Sequence, residues 1–183
     1  MASRILTVPN QLTFLRLGFL PFFIISIYYG HYQWALAVLI AAGLTDGLDG
    51  LLARRLNQKT PLGAYLDPIA DKLLLSSSFF MLALKGKIAW WVAILVLGRD
   101  ILILIAAVVI LLVAGYRSFP PSIYGKLTTT VQILLVFLVV LVAVVNSSLL
   151  AFLRDIFVYL VVGFTVLSGL HYSLTIARRI SSD

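Results

Sequence analysis

DGLDGLLARRLNQKTPLGAYLDPIAD, residues 46–71, holds four of the seven acidic residues of a 183-residue chain, and all seven are aspartate. Asp46 and Asp49 are three positions apart, and Asp67 and Asp71 are four apart. Either spacing puts both members of a pair on one face of a helix. The first pair falls near the end of one apolar segment and the second near the start of the next, which returns from the same side. A loop of the intervening length lets the two pairs face each other.

What surrounds these aspartates decides the fold class. Of the whole chain 62% is hydrophobic and 11% is charged, and the mean hydropathy is +1.08. Soluble domains are about half apolar and about a quarter charged. This composition fits neither an ordinary cytosolic enzyme nor a disordered chain. A bilayer core takes about 20 mostly apolar residues per helix. Six such segments can be marked: Leu12–Tyr29, Trp34–Leu52, Leu66–Leu84, Ile88–Ala114, Ile123–Val145 and Leu149–Ile176. The expectation is an all-α integral membrane protein, with residues 1–183 forming a single bundle of six transmembrane helices. Asn10, after Pro9 and before the first apolar run, is the expected N-cap.

The net charge of +7 would suggest nucleic acid in a soluble protein. In a membrane chain it sets topology instead, and no nucleic-acid partner is expected. Arg4, Arg54, Arg55, Lys59, Arg117, Lys126, Arg178 and Arg179 sit at segment ends that share one side, opposite Lys85, Lys87 and Arg154. The positive-inside rule puts both termini and the 53–65 loop in the cytoplasm. Trp34, Trp90 and Trp91 fall at the opposite ends, where interfacial aromatics gather. The opening MASRILTVP is too short for a cleavable signal peptide. Without cysteine there is no disulfide and no thiolate site, and His31 and His171 are far apart.

Four carboxylates gathered in an apolar bundle repel one another and need positive charge. Hard divalent cations suit an all-oxygen donor set, so Mg²⁺ or Mn²⁺ is the natural partner, and four carboxylates suffice for two ions. The plain alternative is salt bridging to Arg54, Arg55 or Lys72. Gly50 and Ala53 make a small-residue face beside Arg54, which has the geometry to hold a phosphate through two hydrogen bonds. That face serves helix packing equally well. Gly63, four before Asp67, likewise permits close approach. Divalent ions, an arginine and a recess at the cytoplasmic interface are what a diphosphate-bearing substrate needs.

The pattern Asp-x-x-Asp-Gly-x-x-Ala-Arg, followed by Gly-x-x-x-Asp-x-x-x-Asp, resembles the signature of the CDP-alcohol phosphotransferases. Asp46, Asp49, Gly50, Ala53, Arg54, Gly63, Asp67 and Asp71 meet it in full. PNQLTFLRL near the start is similar to the opening of that family's first helix. The resemblance implies a membrane enzyme, usually a homodimer, that uses two divalent cations. It would move a phosphatidyl group from CDP-diacylglycerol to an alcohol and release CMP. By position, Asp46, Asp49, Asp67 and Asp71 would ligate the metals, and Asp71 would also act as general base. Asp49, Gly50, Ala53, Arg54 and Gly63 would bind the CDP moiety. The expected setting is a bacterial plasma membrane, with the active site on the cytoplasmic face.

Residues 9–72 look most like the branch that makes phosphatidylglycerophosphate from glycerol 3-phosphate. Arg99, Arg117 and Lys126 are candidates for the acceptor phosphate. An arginine deep in a span has a partner or a function, and for Arg99 the plain alternative is a pair with Asp100 or with a cluster aspartate. Two positions depart from that branch, which often has Arg-Glu in place of Arg99-Asp100 and a second lysine in place of Thr128; Arg-Asp and YRSFPPSIYGKLTTTVQ resemble instead the cardiolipin synthases, whose acceptor is phosphatidylglycerol. An ion-coupled transporter would also place acids in a membrane, but distributed through its depth rather than near one face.

Overall fold

The computed structural model describes residues 8–55, 61–114 and 123–180, with side chains described over 11–48, 69–105 and 125–172. Six helices follow in order: α1 (Val8–Tyr28), α2 (Tyr32–Arg55), α3 (Pro61–Leu84), α4 (Trp90–Ala114), α5 (Ile123–Val145) and α6 (Ser148–Ile180). They correspond one to one with the six apolar segments. The largest differences are at helix ends: α1 starts at Val8, α3 starts at Pro61 and α6 reaches Ile180. Backbone hydrogen bonding continues a helix after the apolar run has ended.

Asn10 is not the cap of α1, because that helix begins at Val8. Pro9 fits the first turn, where a missing N–H costs nothing since those donors have no intrahelical acceptor. Pro61 opens α3 for the same reason. The far end of α1 closes in a Schellman arrangement. Gly30 N–H donates to the Ile27 carbonyl at 3.1 Å and His31 N–H to the Ser26 carbonyl at 2.8 Å. Gly30 has φ 76°, a conformation open to glycine at no steric cost. Between α5 and α6 a non-glycine residue, Asn146, takes the same role at φ 50°.

The chain divides into two compact units, Met1–Lys85 with Ala143–Val145, and Gly86–Val142 with Asn146–Asp183. In the first, α1 packs on both α2 and α3. Phe23 and Ile27 of α1, Ala35 and Ala42 of α2, and Phe79 and Leu82 of α3 are buried. The two alanines keep α2 slim enough for a close neighbour. In the second unit α4 packs on α6. There Val92, Ala93 and Val96 of α4, Leu135 and Val140 of α5, and Val161 of α6 are buried.

The distribution of polarity is inverted relative to a water-soluble globule. Arg16, Arg99, Asp100, Thr128, Gln132, Thr165 and Ser168 are buried, while Phe22, Ile94, Leu102, Leu104, Phe152 and Leu167 are exposed. Such a surface is stable against lipid and not against water. Among the described residues, Gln11–Tyr28, Gly125–Val145 and Ser148–Tyr172 are long and apolar enough to cross a membrane, and α2 carries a shorter apolar stretch, Tyr32–Leu48. That stretch is cut short where the acidic motif begins. The protein is a helical membrane protein.

Candidate active site

The acidic motif lies on two helices of the first unit. Asp46, Asp49, Gly50, Ala53 and Arg54 belong to α2, and Gly63, Asp67 and Asp71 to α3. Both helices are continuous through these positions, so the spacings of three and four hold each aspartate pair in helical register. The side chains of Asp49, Ala53, Arg54, Arg55 and Asp67 are not among those described, nor are the surroundings of Gly50 and Gly63, and Arg117 lies outside the described residues. Asp46 and Asp71 are described, and the structure brings them together.

They meet at Arg16. Nη2 of Arg16 lies 2.9 Å from Oδ1 of Asp46, and Nη1 pairs with Oδ1 of Asp71. One guanidinium thus joins α2 to α3 from the third helix of the unit. The arginine side chain is 1% exposed, whereas Asp46 and Asp71 are 55% and 47% exposed. The cation sits on the interior side, and the carboxylates lie between it and the outside. A buried guanidinium alone would be costly, and two carboxylates compensate it. One positive charge nevertheless faces two negative ones, before Asp49 and Asp67 are counted.

Arg16 is the residue that sequence reasoning missed. Divalent cations are the expected neutralising partners, and the salt-bridge alternative names Arg54, Arg55 and Lys72, which are close in sequence. Of these Lys72 is described, and it is exposed on α3. The available signal was the rule applied to Arg99: an arginine inside an apolar span has a partner or a function. Arg16 lies within the first apolar segment, Leu12–Tyr29.

A second polar cluster lies in the second unit. Nη1 of Arg99 is 2.8 Å from Oδ1 of Asp100, and its Nη2 donates to Ser168 Oγ at 2.6 Å. Both charged side chains are buried, so for Arg99 the local pair is present. Thr128 Oγ donates to the Phe164 carbonyl at 3.2 Å, which ties α5 to the same stretch of α6. Gln132, one turn beyond Thr128, and Thr165 are buried, and their Nε2 and Oγ1 have no hydrogen-bond partner among the described residues. Lys126, in the first turn of α5, is exposed.

The donor set at Asp46 and Asp71 suits a hard divalent cation: all-oxygen, anionic and half open to the outside. Among the described residues no group of three or more His, Cys, Asp or Glu side chains gathers, the side chains of Asp49 and Asp67 being outside them. Two half-exposed carboxylates brought together from α2 and α3 can take up a divalent cation.

Comparison with known proteins agrees with that chemistry. A "Probable phosphatidylglycerophosphate synthase" of Mycobacterium tuberculosis is 40% identical over 147 residues, covering 76% of this chain and 68% of that protein. A "CDP-diacylglycerol--glycerol-3-phosphate 3-phosphatidyltransferase" of Aquifex aeolicus is 39% identical over 129 residues, 68% of this chain and 70% of that protein. A "Cardiolipin synthase (CMP-forming)" of Streptomyces coelicolor is 38% identical over 133 residues, 69% of this chain and 61% of that protein. Residues 6–167 match the family model described as CDP-alcohol phosphatidyltransferase, and the chain belongs to that family.

Proposed function

We propose that this protein transfers the phosphatidyl group of CDP-diacylglycerol to glycerol 3-phosphate, giving phosphatidylglycerophosphate and CMP. The observation that carries the reading is the convergence of Asp46 and Asp71 from two helices on one point, half exposed, within the motif that the resemblance singled out. The names of the relatives from Mycobacterium and Aquifex support glycerol 3-phosphate as the acceptor.

The family depends in general on divalent cations. Here two ions, Mg²⁺ or Mn²⁺, would be held by Asp46, Asp49, Asp67 and Asp71. When bound, they would polarise the diphosphate and stabilise the charge that develops on the departing CMP. Asp49, Gly50, Ala53, Arg54 and Gly63 bind the CDP moiety, with Arg54 on the diphosphate. Asp71 takes the proton of the acceptor hydroxyl as its oxygen bonds to phosphorus. The bond from phosphorus to the bridging oxygen breaks, and CMP leaves with that electron pair.

The acceptor phosphate is read by Lys126 and Arg117. Arg99 joins them only by exchanging its present partners, Asp100 and Ser168. In this reading all six helices span a bacterial plasma membrane as a single bundle over 1–183. Both termini and the site face the cytoplasm, and the protein is a homodimer.

Phosphatidylglycerol as the acceptor, giving cardiolipin, is a second reading. Two observations favour it: Arg99 is occupied by an internal pair, and Thr128 is buried against the Phe164 carbonyl. Neither group is presented to a phosphate dianion. Incubation with CDP-diacylglycerol, Mg²⁺ or Mn²⁺ and each acceptor, followed by lipid identification, separates the readings. Product with phosphatidylglycerol and none with glycerol 3-phosphate would replace the first reading by the second.

A further inference from the structure

We propose that Arg16 is a positioning residue of the metal site, setting Asp46 and Asp71 relative to each other so that their outer faces are ready for a divalent cation. The inference rests on the reading of these aspartates as metal ligands and adds to it a residue outside the acidic motif.

Three features of the structure lead to it. First, the two nitrogens of the guanidinium go to two different helices: Nη2 to Asp46 on α2 and Nη1 to Asp71 on α3. A guanidinium is a rigid planar fork, so holding one carboxylate at each tine fixes the distance and angle between them. Second, Arg16 meets Oδ1 of both carboxylates, and both aspartate side chains remain about half exposed. The carboxylates therefore meet a fixed partner on the inner side and keep an outer side for a ligand. Third, Arg16 is buried, at 2% exposure, as is Thr13 one turn before it. A residue so enclosed does not reach a water-soluble nucleotide or acceptor. Its influence on the reaction passes through the aspartates.

Physical chemistry gives the direction. Without a cation between them, Asp46 and Asp71 repel each other, and α2 and α3 lose the fork that sets their register at this level. A metal arriving at such a site must first order two separate carboxylates. With Arg16 in place that ordering is already done, as for the hydrogen-bonded outer partners of ligating carboxylates in metal sites generally. The opposing effect is the repulsion between the guanidinium and the metal. It is reduced because the carboxylates lie between the two charges.

The test is metal affinity in the absence of substrate, measured on the full chain in lipid nanodiscs. Mn²⁺ binding is followed by the electron paramagnetic resonance signal of the free ion. Arg16→Gln should bind Mn²⁺ about 10–100-fold more weakly than wild type. Arg16→Lys should fall between them, because an ammonium keeps the charge but does not reproduce the two-pronged geometry. The Mn²⁺ concentration for half-maximal CMP release should rise in step, with a smaller loss of rate at saturating Mn²⁺. Arg16→Gln protein of normal helix content with wild-type Mn²⁺ affinity would show that Arg16 merely ties three helices together, and would overturn the proposal. Tighter Mn²⁺ binding in that variant would make Arg16 a stand-in for the metal, and would overturn it equally. If Arg16→Gln does not fold, Arg16→Lys decides, and wild-type affinity there sinks the idea. Wild-type protein that binds Mn²⁺ but releases no CMP defeats the proposed function alone and leaves the comparison of variants intact. Wild-type protein that binds no Mn²⁺ defeats both.

Discussion

Arg99 and Asp100 are neighbours along α4 and partners in space: Nη1 lies 2.8 Å from Oδ1, and both side chains are buried. The pair is completed by Ser168 of α6, whose hydroxyl accepts from Nη2 at 2.6 Å. An ion pair enclosed in this way contributes little net stability over an apolar pair of the same volume, but removing one partner strands the other.

The first prediction follows from that asymmetry. Asp100→Ala should destabilise the protein by about 3–5 kcal/mol, since it leaves a buried guanidinium without its counter-charge. Arg99→Met with Asp100→Leu together should be less destabilised than Asp100→Ala alone. Unfolding in mixed micelles, followed by circular dichroism, measures both. If the double variant is the less stable of the two, the pair does more than neutralise itself.

Ser168→Ala removes only the hydroxyl from this cluster. It should cost about 1–2 kcal/mol, towards the upper end for a hydrogen bond within a membrane bundle because the donor is charged. CMP release per folded molecule should stay within about twofold of wild type, a change smaller than 1 kcal/mol in the barrier. A collapse of activity without loss of stability would move the cluster from packing to chemistry.

Asp71→Asn should lower CMP release by about 10²–10⁴-fold, the range that a general base contributes. Its Mn²⁺ affinity should fall by a much smaller factor, because the amide oxygen remains a ligand. Rate and Mn²⁺ titration on the same preparation check the split. Parallel losses in both would leave Asp71 a ligand only.

Chelation with EDTA should abolish CMP release, and Mg²⁺ or Mn²⁺ should restore it. Metal at a hundred times its dissociation constant should stabilise the fold by about 2.7 kcal/mol. The emission of Trp34, Trp90 and Trp91 on heating, with and without metal, reports this as a rise in unfolding temperature. An unchanged unfolding temperature at saturating metal would contradict binding to the folded state.

Gly30 gives a control away from the chemistry. At φ 76° an added side chain is strained, although nothing lies within 4 Å of where its Cβ would be. Gly30→Ala should therefore cost about 1–2 kcal/mol in stability from backbone conformation alone. Activity per folded molecule should not change. A larger loss would mean that the α1–α2 turn carries more than its own geometry.

Much of this protein was determined by sequence alone. Six apolar runs became six helices because hydrophobic length and backbone hydrogen bonding are properties of each segment by itself. The four clustered aspartates and their spacings were legible because the helix period is fixed. The remaining pairs were too: Asp100 beside Arg99, and Asp155 beside Arg154 at 2.7 Å, are pairs of chain neighbours. Local contacts of this kind need no knowledge of packing.

Only the tertiary structure showed that Arg16 answers the aspartates. Arg54, Arg55 and Lys72 are close to them in the chain, but Arg16 comes from another helix and reaches both Asp46 and Asp71. The docking of α1 on α2 and α3 brings it there, and that docking depends on how buried faces fit rather than on any local pattern. The same holds for Ser168 and Arg99. The sequence announces that an arginine inside a greasy helix must have a partner. The partner is chosen by packing, because only packing brings residues distant in the chain within hydrogen-bond reach.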